Sequence, residues 1–408
     1  MTTMTPVSEI TQRGRSSLIA FPLGLYALSR LLQLAILWWM SPDDKIRDRL
    51  LAWDGGHFVR VADEGYPTGY SFDADGNLTG NGLAFFPGYP MLVRLVHYVT
   101  RLDYGTAAIT VSWLAGGAAA VLLCALLTRL YDERVGLVFT ALFCVQPMSM
   151  ALSMGYSEAL FTALVAGMLL LAHRGAWLAA GLLGLGAGLT RPTGAAAAIA
   201  LAVAAGIAVY RARAGANDRP DVDPDPDGDG DGRAAAGTGG RTPIWKPLLG
   251  AAIALAGVPA YLLWVGLRVG DLGAWFDIQT AGWGTTFDYG SSSLQFVRDA
   301  LHGGDGWIQV SIAWMLIGTV ILAVAALRGR VWPPLTVYGV IVLVLVLGQA
   351  GYYHSKPRLL VPALFILVPP AVALARARPR TAALVLATCG AFGLWYGSYL
   401  ITVWHYAI

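Results

Sequence analysis

Residues 18–40 read LIAFPLGLYALSRLLQLAILWWM, with Arg30 as the one charged side chain. Crossing the hydrocarbon core takes about 20 apolar residues in a helix. The run meets that length. It is too long for the apolar part of a cleaved signal, and no clear small-residue cleavage site accompanies it, so it is expected to remain as the first span. Ten further apolar runs follow, at 107–130, 134–152, 157–173, 176–190, 193–210, 247–268, 307–327, 333–350, 358–375 and 381–404. The three between 157 and 210 are short and closely spaced, which allows tilted or re-entrant segments. The expected fold is an all-α polytopic membrane protein with roughly ten or eleven transmembrane helices.

Composition agrees. Of 408 residues, 56% are hydrophobic and 13% charged, where a soluble domain carries about 25% charged residues. The net charge of +3 and the absence of a basic stripe exclude nucleic acid as a partner. Cys124, Cys144 and Cys389 lie inside apolar runs at spacings that fit no zinc or redox motif.

Orientation follows from the Lys/Arg bias of short loops. With Arg13 and Arg15 in the cytoplasm, the loops at Arg129/Arg134, His173/Arg174, Arg211/Arg213, Arg328/Arg330 and Arg376/Arg378/Arg380 all fall inside. The segments 41–106 and 269–306 then fall outside. Both are long and rich in aromatics, including Trp53, Tyr66 and Phe86 in the first and Trp275 and Trp283 in the second. Such loops suggest a built site. Phe85–Leu102 is amphipathic enough to lie in the membrane interface. Residues 211–245, with DVDPDPDGDGDG at their centre, are expected to form a disordered cytoplasmic linker. A calcium loop started at Asp223 would need Glu at its twelfth position and has Ala234. The linker separates an N-terminal transmembrane module, 1–210, from a C-terminal one, 246–408.

Cations on the outer face break the bias that set the topology, and so ask for a reason. Arg191 precedes Pro192; Lys356 and Arg358 flank Pro357. A guanidinium can grip a phosphate through two hydrogen bonds, or the side chains can simply snorkel at helix ends. Asp54 stands in AWDGGHF, where two glycines allow a ligand close to the backbone, and Trp53 and His57 could frame a sugar. The carboxylate could take a proton from an attacking hydroxyl or cap a helix. Glu158, at the outer end of a span, needs a partner or water. Asp63 and Glu64 are adjacent, so on a helix they diverge. Asp73 and Asp75 form a DxD in a turn-like context, and no metal site is expected there.

Residues 52–66, AWDGGHFVRVADEGY, and 84–90, AFFPGYP, resemble the first luminal loop of the PIG-V family, which includes GPI mannosyltransferase II and bacterial relatives. YSEALF at 156–161 and RPTG at 191–194 resemble later motifs in order, with a weaker echo at Lys356–Pro362. The resemblance implies a glycosyltransferase C-like fold whose large first extracytoplasmic loop carries interfacial helices and the catalytic carboxylate. By position that is Asp54, with Glu158 the alternative base. It also implies a polyprenyl-phosphate-linked sugar, mannose in the family, as donor, inversion, and no required metal or other cofactor. Arg191, Lys356 and Arg358 would hold the phosphate, and Trp53, His57, Tyr66, Phe86 and Tyr156 would contact substrate. His57-Phe58 departs from the Trp-Tyr of several relatives. The Gly/Ala content and Arg-over-Lys bias resemble an actinobacterial protein, which makes no GPI anchor, so a glycolipid, glycan or protein at the cell-membrane surface is the expected acceptor.

Two other classes fit the spans. A transporter or flippase of a lipid-linked sugar would bring paired repeats and ionisable groups at mid-membrane. No repeat is evident, although Arg30 sits inside the first span unexplained. A structural scaffold would not need charged, aromatic-rich loops on one face.

Overall fold

The computed structural model describes residues 7–41, 45–217, 243–304, 306–404 and 406. Helices build it. In chain order these are α1 (Val7–Met40), α2 (Ile46–Leu50), α3 (Asp54–Glu64), α4 (Gly88–Thr100), α5 (Tyr104–Leu130), α6 (Glu133–Val145), α7 (Glu158–His173), α8 (Trp177–Gly188) and α9 (Gly194–Asn217). Then come α10 (Trp245–Leu255), α11 (Gly257–Val269), α12 (Ala274–Trp283), α13 (Ser291–Gly303), α14 (Trp307–Arg328), α15 (Pro333–Leu347), α16 (Lys356–Leu359), α17 (Val368–Arg376) and α18 (Pro379–Thr402). One antiparallel hairpin, β1 (Ser71–Phe72) with β2 (Leu78–Thr79), lies between α3 and α4.

Among the described residues, six helices are long and apolar enough to cross a membrane, or up to seven if a pair bent by 73° near Leu359–Leu364 is one span. The chain is a multi-pass membrane protein. The other apolar runs form helices too short to span unaided, α7, α8 and α15 among them. Local chemistry explains the shortening. The run 134–152 breaks at Pro147, where α6 has ended and a short 3-10 turn begins at Ser149. The run 358–375 is interrupted at Pro362, which cannot donate to a helical ladder. The helix α7 is buried on nearly every side, so its neighbours rather than lipid satisfy its surface.

Arg30 is explained by packing. Its guanidinium is fully buried and donates to the Ser149 and Cys144 carbonyls and to Ser153 Oγ. It pins α1 to the turn after α6, where the backbone has left the helical ladder and its carbonyls need donors.

The expected linker begins later than its composition suggested. Residues 211–217, rich in Ala and Arg, continue α9 to Asn217. The disorder expected further on falls on 218–242, outside the described residues.

Both aromatic-rich loops come together at one end of the bundle. Tyr261 Oη donates to the Leu83 and Phe85 carbonyls, and Gln279 Nε2 to the Ala84 carbonyl. Tyr70 Oη donates to Asp271 at 2.7 Å. The hairpin meets α12 through glycine backbones: a Cβ on Gly80 would lie 2.5 Å from Gly282 Cα and 2.7 Å from the Trp283 ring. The amphipathic stretch is α4, which buries Tyr89 and Val93 and leaves Leu95, Tyr98 and Val99 exposed, the pattern of an interfacial helix.

Candidate active site

The site is assembled by backbone contacts between distant motifs. Gly155 N–H donates to the Leu50 carbonyl at 2.8 Å, and Tyr156 Oη to the Ala52 carbonyl at 3.1 Å. These bonds dock the turn before α7 onto the turn before α3. Gly88 N–H donates to the Leu189 carbonyl at 2.7 Å, which fastens the AFFPGYP block beneath the Thr190–Pro192 turn. Trp53 adopts φ 53°, a region costly for a bulky side chain and most often held where function needs it. Asp54 is the first residue of α3, one past the N-cap position, which Trp53 holds without a side-chain cap bond. The capping alternative therefore fails.

The carboxylate of Asp54 instead meets a guanidinium from the far end of the sequence. Arg358 Nη2 lies 2.7 Å from Asp54 Oδ2, and its Nε lies 3.5 Å from Glu158 Oε1. Arg191 Nη1 lies 2.9 Å from Glu158 Oε1 and donates to Ser157 Oγ at 2.9 Å. Arg358 also lies over the Tyr156 ring, 4.8 Å from its centroid, a cation–π contact. Two carboxylates and two guanidiniums thus balance in formal charge. Their exposures differ: the Asp54 side chain is 24% accessible and the Glu158 side chain 2%. Arg358 Nε and Nη1 are buried without an aligned acceptor. An unsatisfied buried donor costs about 1–3 kcal/mol, more when charged, and in a native site it calls for an explanation such as a missing ligand.

Lys356 joins from the other side. Its ammonium donates to Ser293 Oγ at 2.8 Å, to the Val346 carbonyl at 3.2 Å and to the Gln349 carbonyl. Among the described residues it forms no ion pair, and the Asp288 carboxylate acts on it from beyond contact distance.

These groups surround a cavity of about 360 Å³. Trp53, Asp54, His57, Arg191, Lys356 and Arg358 all line it. Phe86 also contributes but is only 2% exposed, packed on Tyr261 and Trp275. One expected contact is corrected. Tyr156 is fully buried beneath Arg358 and does not face the cavity. Tyr66 lies behind the wall of this cavity, donating to the Phe85 carbonyl at 2.8 Å and packing on Trp264, and lines a neighbouring cavity instead. Glu158 is absent from the lining as well; it is the buried anchor of both arginines. Lining residues not proposed as site residues from sequence include Phe85, Trp275, Trp283, Gln279 and Gln349. The aromatic loops signalled the first three; the glutamines gave no signal.

His57, one turn after Asp54 on α3, stacks on Phe85 with centroids 5.0 Å apart and meets the edge of Trp283. Burial pushes its ring below the ordinary value of 6.5; the Asp54 carboxylate opposes this shift and Arg60 adds to it. The DxD is a turn: Asp73 Oδ1 accepts from the Asp75 and Asn77 amides. Among the described residues, no three His, Cys, Asp or Glu side chains group as metal ligands would.

No family model matches the chain. Over the whole fold, the chain is similar to the ArnT structure from Cupriavidus metallidurans bound to undecaprenyl phosphate, with a TM-score of 0.50, 16% identity, and coverage of 93% of this chain and 69% of that one. The Archaeoglobus fulgidus oligosaccharyltransferase AglB, in complex with an inhibitory peptide and a dolichol-phosphate, aligns at a TM-score of 0.47 and 10% identity, over 93% of this chain and 56% of that one. At 16% identity the likeness to ArnT is one of fold, an all-helical multi-pass membrane architecture. In sequence, 144 residues are 31% identical to GPI alpha-1,6-mannosyltransferase 2 of Mus musculus, covering 33% of this chain and 27% of that protein. The match thus spans about a quarter of the relative's length.

Proposed function

We propose that this protein is an integral membrane glycosyltransferase that moves a sugar, most simply mannose, from a polyprenyl-phosphate carrier to an acceptor on the outer face of the cell membrane. The observation that carries the proposal is the Asp54–Arg358 pair, open to a cavity beside a guanidinium with unused donors. The N-terminus is cytoplasmic and the cavity extracytoplasmic. The partial likeness to a mannosyltransferase supports the choice of sugar. The acceptor is an envelope glycan, glycolipid or protein rather than a GPI precursor.

The donor phosphate binds Arg358, with Arg191 and Lys356 adding charge. An apolar groove of about 580 Å³ between α13, α14 and α15 supports a lipid carrier. Ser293 lines that groove and accepts from Lys356, so chain and phosphate are held at adjoining places. When phosphate takes the guanidinium, Asp54 is released from its ion pair. Its carboxylate then removes the acceptor hydroxyl proton. The acceptor oxygen bonds to the anomeric carbon, the carbon–oxygen bond to phosphate breaks, and that electron pair leaves as polyprenyl phosphate with inversion. Preorganised cations stabilise the charge growing on the leaving group. Asp54 suits the base role better than Glu158 because it alone of the two faces the cavity. The test is purified protein with radiolabelled polyprenyl-phosphate mannose and a panel of envelope acceptors. Labelled product with release of polyprenyl phosphate is expected; translocation of the intact donor without bond cleavage would overturn the proposal in favour of a flippase.

A further inference from the structure

A second cavity, about 450 Å³, shares His57 with the first and is lined by no member of the charge cluster. Its walls include Arg60 and Glu64 of α3, Ser71 of the hairpin, and the side-chain-free Gly80 and Gly82. His57 lines both cavities. The volume falls in the range of about 300–1,000 Å³ typical of ligand sites. Lys356 lines the first cavity and reaches Ser293 of the apolar groove, whereas the second cavity is lined by Ser71 and Gly80 beside the polar hairpin, whose Asp73 and Asp75 are exposed.

Three side chains lining it are unspent: among the described residues, the Arg60 and Glu64 side chains have no ion pair or hydrogen bond, and no hydrogen bond reaches the His57 ring. Tyr66 and Asn81, which also line it, are tied to the Phe85 and Gly69 carbonyls. One cation and one anion suit a ligand with little net charge and many hydroxyls, since both accept or donate hydrogen bonds to neutral groups. The glycine backbones leave room for a ring to approach the main chain. Gly80 also sets the shared wall, because its contact with Gly282 brings Trp283 against His57.

Resting on the glycosyltransferase reading, we propose that this second cavity binds the acceptor, a neutral glycan whose reacting hydroxyl passes His57 to reach Asp54. His57 is then a positioning residue, kept uncharged by burial so that either ring nitrogen can meet a sugar hydroxyl.

The test plugs the cavity. Cys389, the exposed native cysteine, is replaced by Ser; Glu64→Cys or Arg60→Cys is added and modified with a bulky maleimide. Polyprenyl-phosphate mannose is the donor and octyl mannoside the acceptor probe. The adducts are expected to lower transfer to the probe at least tenfold, by raising its KM, while donor KM and slow donor hydrolysis by water stay unchanged. Unaltered transfer, or an equal loss of hydrolysis, would overturn the acceptor site. An unmodified enzyme that hydrolyses donor but never uses the mannoside would overturn the neutral-glycan assignment. One that neither transfers nor hydrolyses would instead sink the glycosyltransferase reading, and this proposal with it.

Discussion

Glu158→Gln removes the one carboxylate shared by two arginines. The side chain is 2% accessible, 2.9 Å from Arg191 and 3.5 Å from Arg358. The amide keeps the shape but not the charge, so both guanidiniums lose their buried counter-charge. Breaking a buried pair by removing one partner costs about 3–5 kcal/mol. Because Arg191 and Arg358 are placed on the donor phosphate, part of that cost is expected in donor binding. At 1.4 kcal/mol per factor of ten, slackening worth even a third of it raises donor KM roughly tenfold. Heat inactivation in detergent, followed by size exclusion, reads the stability; initial rates against donor concentration read KM. The expected result is lower stability, a donor KM raised tenfold or more, and a smaller change in kcat at saturating donor. Glu158→Asp retains the charge one methylene short and should recover part of each. Wild-type stability with wild-type donor KM would refute the anchoring role. An unchanged donor KM with kcat down by about 10²–10⁴, the usual scale of general-base loss, would hand the base role to Glu158.

Arg358→Lys keeps a cation but loses the fork to Asp54 and the incoming phosphate; a charged hydrogen bond is worth about 1.5–3 kcal/mol, so donor KM should rise roughly tenfold to a hundredfold, measured in the same assay. Gly80→Val should push the hairpin from α12, since its Cβ would meet Gly282 and Trp283 inside contact distance; transfer should fall at least tenfold, with Trp fluorescence reporting the moved ring. His57 carries a pH signature: its folded value lies below 6.5, so between the two values the unfolded chain binds more protons and stability falls as pH drops through that window. His57→Gln should flatten that acid loss in denaturation series from pH 7 to 5, and an unchanged slope would contradict the buried neutral ring.

How much of this was legible depends on the range of the interaction. The spans were, because hydrophobic length is a local property; runs 17–40 and 307–327 needed nothing beyond their own residues. The short helices were not, because whether α7 or α15 crosses alone depends on packing. The cations of the charge cluster were legible as exceptions to the charge bias, yet their pairing with Asp54 and Glu158 was not. Asp54 and Arg358, joined by an ion pair, are 304 positions apart in chain order, and spacing cannot show that. Tyr156 looked like a ligand contact because aromatic residues in outer loops serve both walls and ligands; only the geometry separates the two. Arg30 had no explanation inside the first span until its acceptors, among them the Cys144 and Ser149 carbonyls at the break after α6, were in view.

The most direct measurement is single-turnover transfer by Asp54→Asn with saturating polyprenyl-phosphate mannose, alongside donor binding by the same protein. The amide is nearly isosteric but cannot take the proton. Transfer is expected to fall by about 10²–10⁴ while donor still binds, since Arg358 is freed of its carboxylate partner. Near-normal turnover by Asp54→Asn would contradict the assignment of Asp54 as the base.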